Sequence, residues 1–389
     1  MPYIVGLNSG SSFDGVDAVL CTIDIDQDGH PSRPKFVDAL TVDWPDELRP
    51  LVIRAFDNQL SLFDMTRVNY AAGAVYAEAT NKLLAKAGVK PEEVEVLGYD
   101  GQTVYQEPPD RQKIADYISS GSKSLVDLWT KGGFPCGFFI VESGVVAALT
   151  DITTVTQFLP VDHALGGSGA PLVHKTMAFD TGPGNVMLDH VIRARTGRSY
   201  DKDGEMAARG QIIEPLLAEL QAHEFFQRKP PRSAWRLDFG SRYADDILER
   251  YASASTEDLL ATLAMFTATS IERALVDFIL PKTSVTKVVA SGGGTRNTTL
   301  MRFLTERLAT HGLKTCVSDE FGMPAAYKEA IKFATLAFAA KRGLANNIPA
   351  ASGASSFAIL GKLTLAPRLA RGTENITSND LFIDDGWAG

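Results

Sequence analysis

With 389 residues, 45% hydrophobic and 22% charged, the chain has the make-up of an ordinary globular protein, long enough for two domains or one large bilobal unit. A net charge of −9 with no block of Lys or Arg argues against nucleic-acid or anionic-membrane partners. Three scattered cysteines, Cys21, Cys136 and Cys316, exclude a disulfide framework and point to a reducing compartment. The first strand follows the N-terminus directly and no apolar run reaches about 18 residues, so a cytoplasmic protein with no membrane partner is expected; a homodimer is left open.

Ile4 to Leu7 and Val16 to Ile23 are apolar stretches separated by a small, polar turn from Asn8 to Gly15. The pattern predicts strand, turn, strand. Gly6, Gly10 and Gly15 let the backbone approach a ligand, and Ser9, Ser11 and Ser12 supply hydroxyls and N–H groups that suit an anion. The turn has no Gly-Lys-Ser/Thr and no helix pattern directly after it, so it is neither a P-loop nor a Rossmann turn. Taken alone, it reads equally well as an ordinary Ser/Gly hairpin.

A polar loop over 26–34 precedes a strand near 35–42, a short helix at 45–55 and a long amphipathic helix at 61–87, with Leu62, Met65, Val68, Ala72, Val75 and Leu83 on one stripe. A strand at 94–97 ends in Tyr99-Asp100-Gly101-Gln102-Thr103, a polar turn where α/β sheets present ligand groups. Residues 108–133 are poorly periodic and predict an exposed insertion; strand, helix and strand follow at 138–141, 144–149 and 153–158. A glycine-rich loop at 162–172 and the turn Phe179-Asp180-Thr181-Gly182-Pro183-Gly184-Asn185 precede helices at 186–196, 212–226, 243–252 and 257–280. Thr256, Glu257 and Asp258 make a good start signal for the last of these. A strand at 287–290 runs into Ser291-Gly292-Gly293-Gly294-Thr295-Arg296-Asn297 and a helix to 308, then a strand at 314–317 and a helix at 325–342 that carries Glu329. From 350 onward the chain reads as loop.

Three glycine-rich turns near residues 10, 182 and 293, each beside Asp or Asn, suggest a nucleotide-sized polyanion held between two lobes, and hence phosphoryl transfer. Asp180 is a general-base candidate, or else a helix cap, for which Asn185 serves equally well. Gly292 to Gly294 is an anion or ribose platform, or else a tight strand-to-helix turn. His163 and His190 lack a second ligand at metal spacing, so structural roles are expected.

The segments G-L-N-S-G-S-S-F-D-G-V-D (6–17), G-G-S-G-A-P-L (166–172), F-D-T-G-P-G-N-V-M-L-D (179–189), Y-D-K-D-G (200–204), S-G-G-G-T-R-N (291–297) and D-E-F-G-M-P-A-A-Y-K-E-A-I-K-F-A (319–334) resemble, in order and over nearly the whole chain, the anhydro-N-acetylmuramic acid kinase family, to which levoglucosan kinase also belongs. The resemblance implies an α/β, two-lobed actin/hexokinase-like ATPase fold. Its first lobe would be 1–158 plus 345–389, and its second, incomplete, 159–344. ATP and Mg²⁺ would occupy the cleft, and the partner would be a small anhydro sugar whose 1,6-anhydro bridge is opened as O6 is phosphorylated. Asp180 would deprotonate the attacking water. Gly10, Ser11, Ser12, Phe13, Asp14, Gly15, Val16 and Asp17 would hold the phosphates, with Asp14 near the metal and Gly182, Gly184 and Asn185 opposite. Gly292, Gly293, Gly294 and Asn297 would face the adenosine, and Gln102, Arg236 and Glu329 the sugar.

The chain departs from that pattern in four places. Asp100 replaces the His of H-G-Q-T; Gln157-Phe158-Leu159 replaces D-F-R; and Pro230 to Leu237 keeps Arg236 but loses an acid. Only five residues, His174 to Ala178, separate Val173 from Phe179. The family places a helix, a strand and a second phosphate loop there, a unit of roughly 30 residues or more. Two readings therefore stand: an ATP-dependent anhydro-sugar kinase, or a catalytically impaired nucleotide- or sugar-binding relative. A hexokinase or acetate kinase type is opposed by F-D-T-G-P-G-N.

Overall fold

The computed structural model describes residues 1–10, 15–56, 58–121, 123–169, 179–230, 232, 234 and 236–369, with the backbone alone at 236 and 237. Its framework is a six-stranded mixed sheet. β1 (Tyr3–Asn8) and β2 (Gly15–Thr22) form the expected hairpin in the register Tyr3↔Thr22 to Asn8↔Asp17, and β3 (Lys35–Asp43) continues it antiparallel. On the other side β1 runs parallel to β4 (Val94–Gly98), and β4 parallel to β7 (Thr154–Thr156). β10 (Lys362–Thr364) closes the edge antiparallel to β7, so the order is β10-β7-β4-β1-β2-β3.

The sheet is covered on both faces, and the alternation along β1 follows from that. Val5 and Leu7 point to the helix Leu62–Ala87 and pack with its Val68, Ala72, Val75, Tyr76 and Leu83. Ile4 points to the other face, with Phe333, Ala334 and Ala337 of the helix Lys328–Lys341. The first helix is delimited by its own caps: Ser61 Oγ accepts from the Asp64 N–H at 3.1 Å, and Gly88 ends it at φ 65°.

The second helix lies against the sheet backbone itself. A Cβ on Gly6 would stand 1.9 Å from the Ala330 carbonyl oxygen, and one on Gly98 would stand 2.4 Å from both the Phe333 carbonyl oxygen and Ala337 Cβ.

The other half is built from helices Val186–Thr196, Glu214–Gln221, Ser241–Arg250, Thr256–Ala274 and Thr298–Ala309 around one core, in which Phe225, Phe226, Phe239 and Phe266 meet edge to face. Thr256–Ile279 is long and apolar enough to cross a membrane, but two thirds of its apolar window is buried inside the protein. Among the described residues this half carries one sheet, the parallel pair β8 (Lys287–Ala290) and β9 (Lys314–Val317), with Val289 half exposed.

Tertiary pairing adds two strands that the local pattern did not predict. β5 (Gln102–Glu107) forms where a polar turn was expected and pairs with β6 (Cys136–Ile140), flanking the exposed helices Arg111–Ser119 and Asp127–Thr130 of the insertion. β10 arises in the tail expected to be loop because β7 offers it an open edge. The helix Lys328–Lys341, which the sequence grouped with the second lobe, packs on the large sheet instead, together with Leu159 and Leu360.

Gly98→Ala should therefore destabilise the protein by about 1–3 kcal/mol or more, the usual cost of overpacking, read as a lowered midpoint of urea unfolding. Gly144→Ala is the control. Its new methyl would meet only Glu142 Oε1, at 3.5 Å, and in the helix Ser143–Thr150 it should be neutral or stabilising. Equal midpoints for the two variants would contradict the close-approach argument.

Candidate active site

A cleft of about 530 Å³ opens where the β1–β2 hairpin faces the helical half. Asn8, Gly10, Gly15, Asp17 and Thr41 form one wall, and Asn185, Leu188, Asp189, Gly292, Gly293, Arg296 and Asn297 the other. Tyr200 to Asp203 closes one end, and Ala325, Ala326 and Glu329 line it from the Lys328–Lys341 side. The volume suits a nucleotide-sized ligand.

The root of the hairpin is fixed from below. Trp44, just past β3, donates its indole N–H to Ser9 Oγ at 3.0 Å, and the rings of Trp44, Tyr76 and Tyr99 follow one another in tilted contact with centroids 6.1 and 5.0 Å apart. Gly15 is required by the β2–β3 contact, since a Cβ there would be 2.8 Å from Thr41 Cγ2. Asp17 accepts a hydrogen bond from Thr41 Oγ1 at 2.7 Å. Val16 is fully buried in the sheet core and offers no side chain to the cleft. Ser11, Ser12, Phe13 and Asp14 lie outside the described residues.

On the opposite wall Gly292, at φ 95°, donates its N–H to the Ala325 carbonyl at 2.8 Å, and a Cβ on Gly293 would meet nothing within 4 Å, so backbone and open space face the cleft together. Gly294 turns toward the Asn185 amide instead, and Asn297 uses its Oδ1 to cap the helix Thr298–Ala309 through the Leu300 N–H at 2.9 Å. The Tyr200–Gly204 loop is held by its own bonds. Asp201 accepts from the Met206 and Ala207 N–H groups at 3.0 Å, and Thr298 and Thr299 donate to the Asp203 and Gly204 carbonyls at 2.8 Å.

Asp180, Gly182 and Gly184 do not line the cleft; they form the turn directly ahead of Asn185. That turn rests on the helix Thr256–Ala274. Thr267 Oγ1 donates to the Gly184 carbonyl at 3.0 Å, and Ser270 fills the space beside Gly182. Neither Asp180 nor Asn185 caps the following helix with its side chain. Asp180 Oδ2 accepts the Ala234 N–H at 2.7 Å, and its backbone exchanges hydrogen bonds with Arg232, whose buried guanidinium lies over Phe225, Phe278 and Phe179. Burial raises the proton affinity of Asp180, against the opposing pull of the Ala234 N–H and the Arg232 charge. A carboxylate shifted this way is suited to take a proton.

The sugar candidates sit deeper. Gln102 is buried and does not line the cleft; its Oε1 has no hydrogen-bond partner among the described residues. Burial would raise the Glu329 carboxyl, but the ammonium groups of Lys332 and Lys328, both bonded to it, outweigh that and hold it at about 2. The side chain of Arg236 lies outside the described residues. Burial pushes Asp100 up to about 6, against the Phe158 N–H, which donates to its Oδ1 at 2.8 Å, and the charge of Lys332. His163 is buried beside Gln106, and His190 pairs with Asp245 at 2.6 Å; neither reaches the cleft. Sequence reasoning assigned no role to Asp189, Arg296 or Lys332. The Y-D-K-D-G motif was the available signal for the loop at the cleft's end.

A profile of the anhydro-N-acetylmuramic acid kinase family matches residues 2–127 and 174–366. The chain belongs to that family. Among its relatives are the anhydro-N-acetylmuramic acid kinases of Caldanaerobacter subterraneus subsp. tengcongensis (33% identical over 402 residues; 93% of this chain, 96% of that one) and of Bacillus cereus strain B4264 (30% over 410; 96% and 100%). Among solved structures it is similar to the activator of the 2-hydroxyisocaproyl-CoA dehydratase from Clostridium difficile with bound ADPNP, at a TM-score of 0.37 and 13% identity over 86% of this chain and 94% of that one. With the family come the reaction class, that of an ATP-dependent anhydro-sugar kinase, and the expected α/β fold.

Asp100 gives this family member a pH signature. Its folded pKa of about 6 lies above the ordinary value of 3.8, so the folded state binds the extra proton and stability falls as pH rises from about 4 to about 6. Above that window the cost is fully present. Asp100→Asn should gain about 1–3 kcal/mol over the parent at pH 7.5, a gain that vanishes near pH 4. Denaturant titrations at four pH values measure it; a gain independent of pH would contradict the assignment.

Proposed function

We propose that the chain opens the 1,6-anhydro bridge of an anhydro sugar and phosphorylates the released O6 with ATP in this cleft, anhydro-N-acetylmuramic acid and levoglucosan being the two substrate types. The observation that supports the reading is the juxtaposition of Asn8, Gly10 and Gly15 with Asn185 and Gly292–Gly293 across one cleft, Asn185 lying directly after the Asp180 turn. Gly10, Gly15 and the turn they bound would hold the phosphates, with Gly292 and Gly293 beside the adenosine.

Asp180 would take a proton from the water that attacks the anomeric carbon. As that C–O bond forms, the bond from C1 to O6 breaks, and O6 accepts the γ-phosphoryl group while ADP leaves. A magnesium ion is usually held by one or two carboxylates together with substrate phosphates and water. Asp17 on the cleft wall fits that donor set, with Asp14 as its sequence neighbour. Such an ion supplies neutralisation of phosphate charge.

The reading includes two lobes, with a return to the first that begins at the helix Lys328–Lys341. It also includes the short connection from Val173 to Phe179. The alignment with the Caldanaerobacter relative takes 402 positions to cover 93% of this chain, so gaps open along it, in keeping with a shorter chain. Losing one preorganised donor typically costs 10²–10³ in rate; loss of a phosphate loop should cost at least that.

Coupled ADP release with each sugar is the test. Sugar-dependent turnover well below the usual median of about 10 s⁻¹ is expected, and Asp180→Asn should lower it a further 10²–10⁴-fold with ATP affinity unchanged. Asp180→Asn turnover within a few-fold of the parent would remove Asp180 as the base. Parent turnover near the median would show the connection to be sufficient as it stands.

A further inference from the structure

Lys332 lies on the same helix face as Glu329, one turn on, and is bonded to its Oε2. The helix that carries both presses on β1 and β4 at Gly6 and Gly98, and Asp100 stands two residues beyond Gly98. The Lys332 charge therefore acts on two carboxylates at once: Glu329, which lines the cleft, and Asp100, which is buried behind it.

The other groups packed around this centre are few. Lys328 contacts Glu329 Oε1 at 2.9 Å, the Phe158 N–H bonds Asp100, Tyr76 lies close enough to feel the charges of Asp100 and Asp17, and the Phe333 ring sits 4.4 Å from the Lys332 ammonium. Lys332 is only a quarter exposed, so its ammonium is confined to this environment. Removing one member of such a set leaves a buried charge uncompensated.

We propose that Lys332 is the positioning residue of the sugar end of the cleft, its ammonium bonded to Glu329 with its charge acting on the buried Asp100 behind, so that the Glu329 carboxylate is fixed to accept a hydroxyl of the anhydro sugar. The inference rests on the reading of Glu329 as a sugar contact. A salt bridge that served stability alone would have no need to reach a cleft-lining carboxylate. Here the same ammonium decides the ionisation and the direction of that carboxylate.

The test is the dissociation constant for levoglucosan and for anhydro-N-acetylmuramic acid, by isothermal titration between pH 5.5 and 8.5, on full-length Lys332→Met, Lys332→Arg, Glu329→Gln and the double variant Asp100→Asn/Lys332→Met. Lys332→Met should weaken sugar binding about 10-fold or more, the size of a lost charge-assisted hydrogen bond, leave ADP binding unchanged, and add an acid-side loss of affinity as Glu329 begins to titrate in the measured range. Lys332→Arg should restore most of the affinity. The double variant removes the uncompensated buried charge, so it should recover thermal stability but not sugar affinity. Recovery of both would overturn the proposal by reducing Lys332 to a structural partner of Asp100. Weakened binding in Glu329→Gln with normal binding in Lys332→Met would overturn it while leaving the site reading intact; normal binding in Glu329→Gln would overturn both.

Discussion

The close approach of the helix Lys328–Lys341 to β1 and β4 is the constraint on which the rest of this structure depends. Two strand residues without side chains on that face, Gly6 and Gly98, let a helix backbone rest on a sheet backbone. Any side chain there would lift the helix. The 325–332 segment would then move out of the cleft, the Ala325 carbonyl would lose the Gly292 N–H, and the Lys332 charge would move away from Asp100. Core packing and site geometry are thus one arrangement, because interiors packed this closely transmit displacement instead of absorbing it.

The carboxylates in and behind the cleft are sorted by neighbourhood. Asp180 and Asp100 are both raised chiefly by burial, yet Asp180 is bonded from a loop of the helical half and Asp100 from the sheet half. Glu329, held between two lysines, is driven the other way. A carboxylate fixed as an anion therefore lines the cleft, while the two raised by burial stand behind its walls. Carboxylates pushed apart in this way are the usual means by which one site divides acid–base work from binding.

Among the described residues the helical half has little sheet to lean on. β8 and β9 form a parallel pair with Val289 half exposed, and the turn bearing Asp180 is supported by Thr267 and Ser270 of one long helix and by the stacked Arg232. Parallel strands are ordinarily covered on both faces, whereas this pair is partly exposed. The aromatic cluster around Phe225, Phe239 and Phe266 supplies the burial that the sheet does not.

By itself the sequence determined whatever is encoded locally. The alternation of β1 and β2, the helix Leu62–Ala87 with Ser61 and Gly88 at its ends, the helix Val186–Thr196 and the strands β8 and β9 are all written in periodicity and caps. Two of the three glycine turns, near residues 10 and 293, do border the cleft while the one near 182 stands behind it, and the ordered motifs announced the family. Only the tertiary structure decided which polar residues look into that cleft. Val16 and Gln102 belong to motif stretches yet turn into the core, while Asp189 and Arg296, in motif stretches that assign them no role, line the cleft. β5 and β10 exist only because an open edge met them, and Lys332 matters only because two glycines far from it in the chain let its helix descend. Periodicity reports the half-space in which a side chain must be buried; which partner waits there is set by contacts between segments hundreds of residues apart, and those carry no local signature.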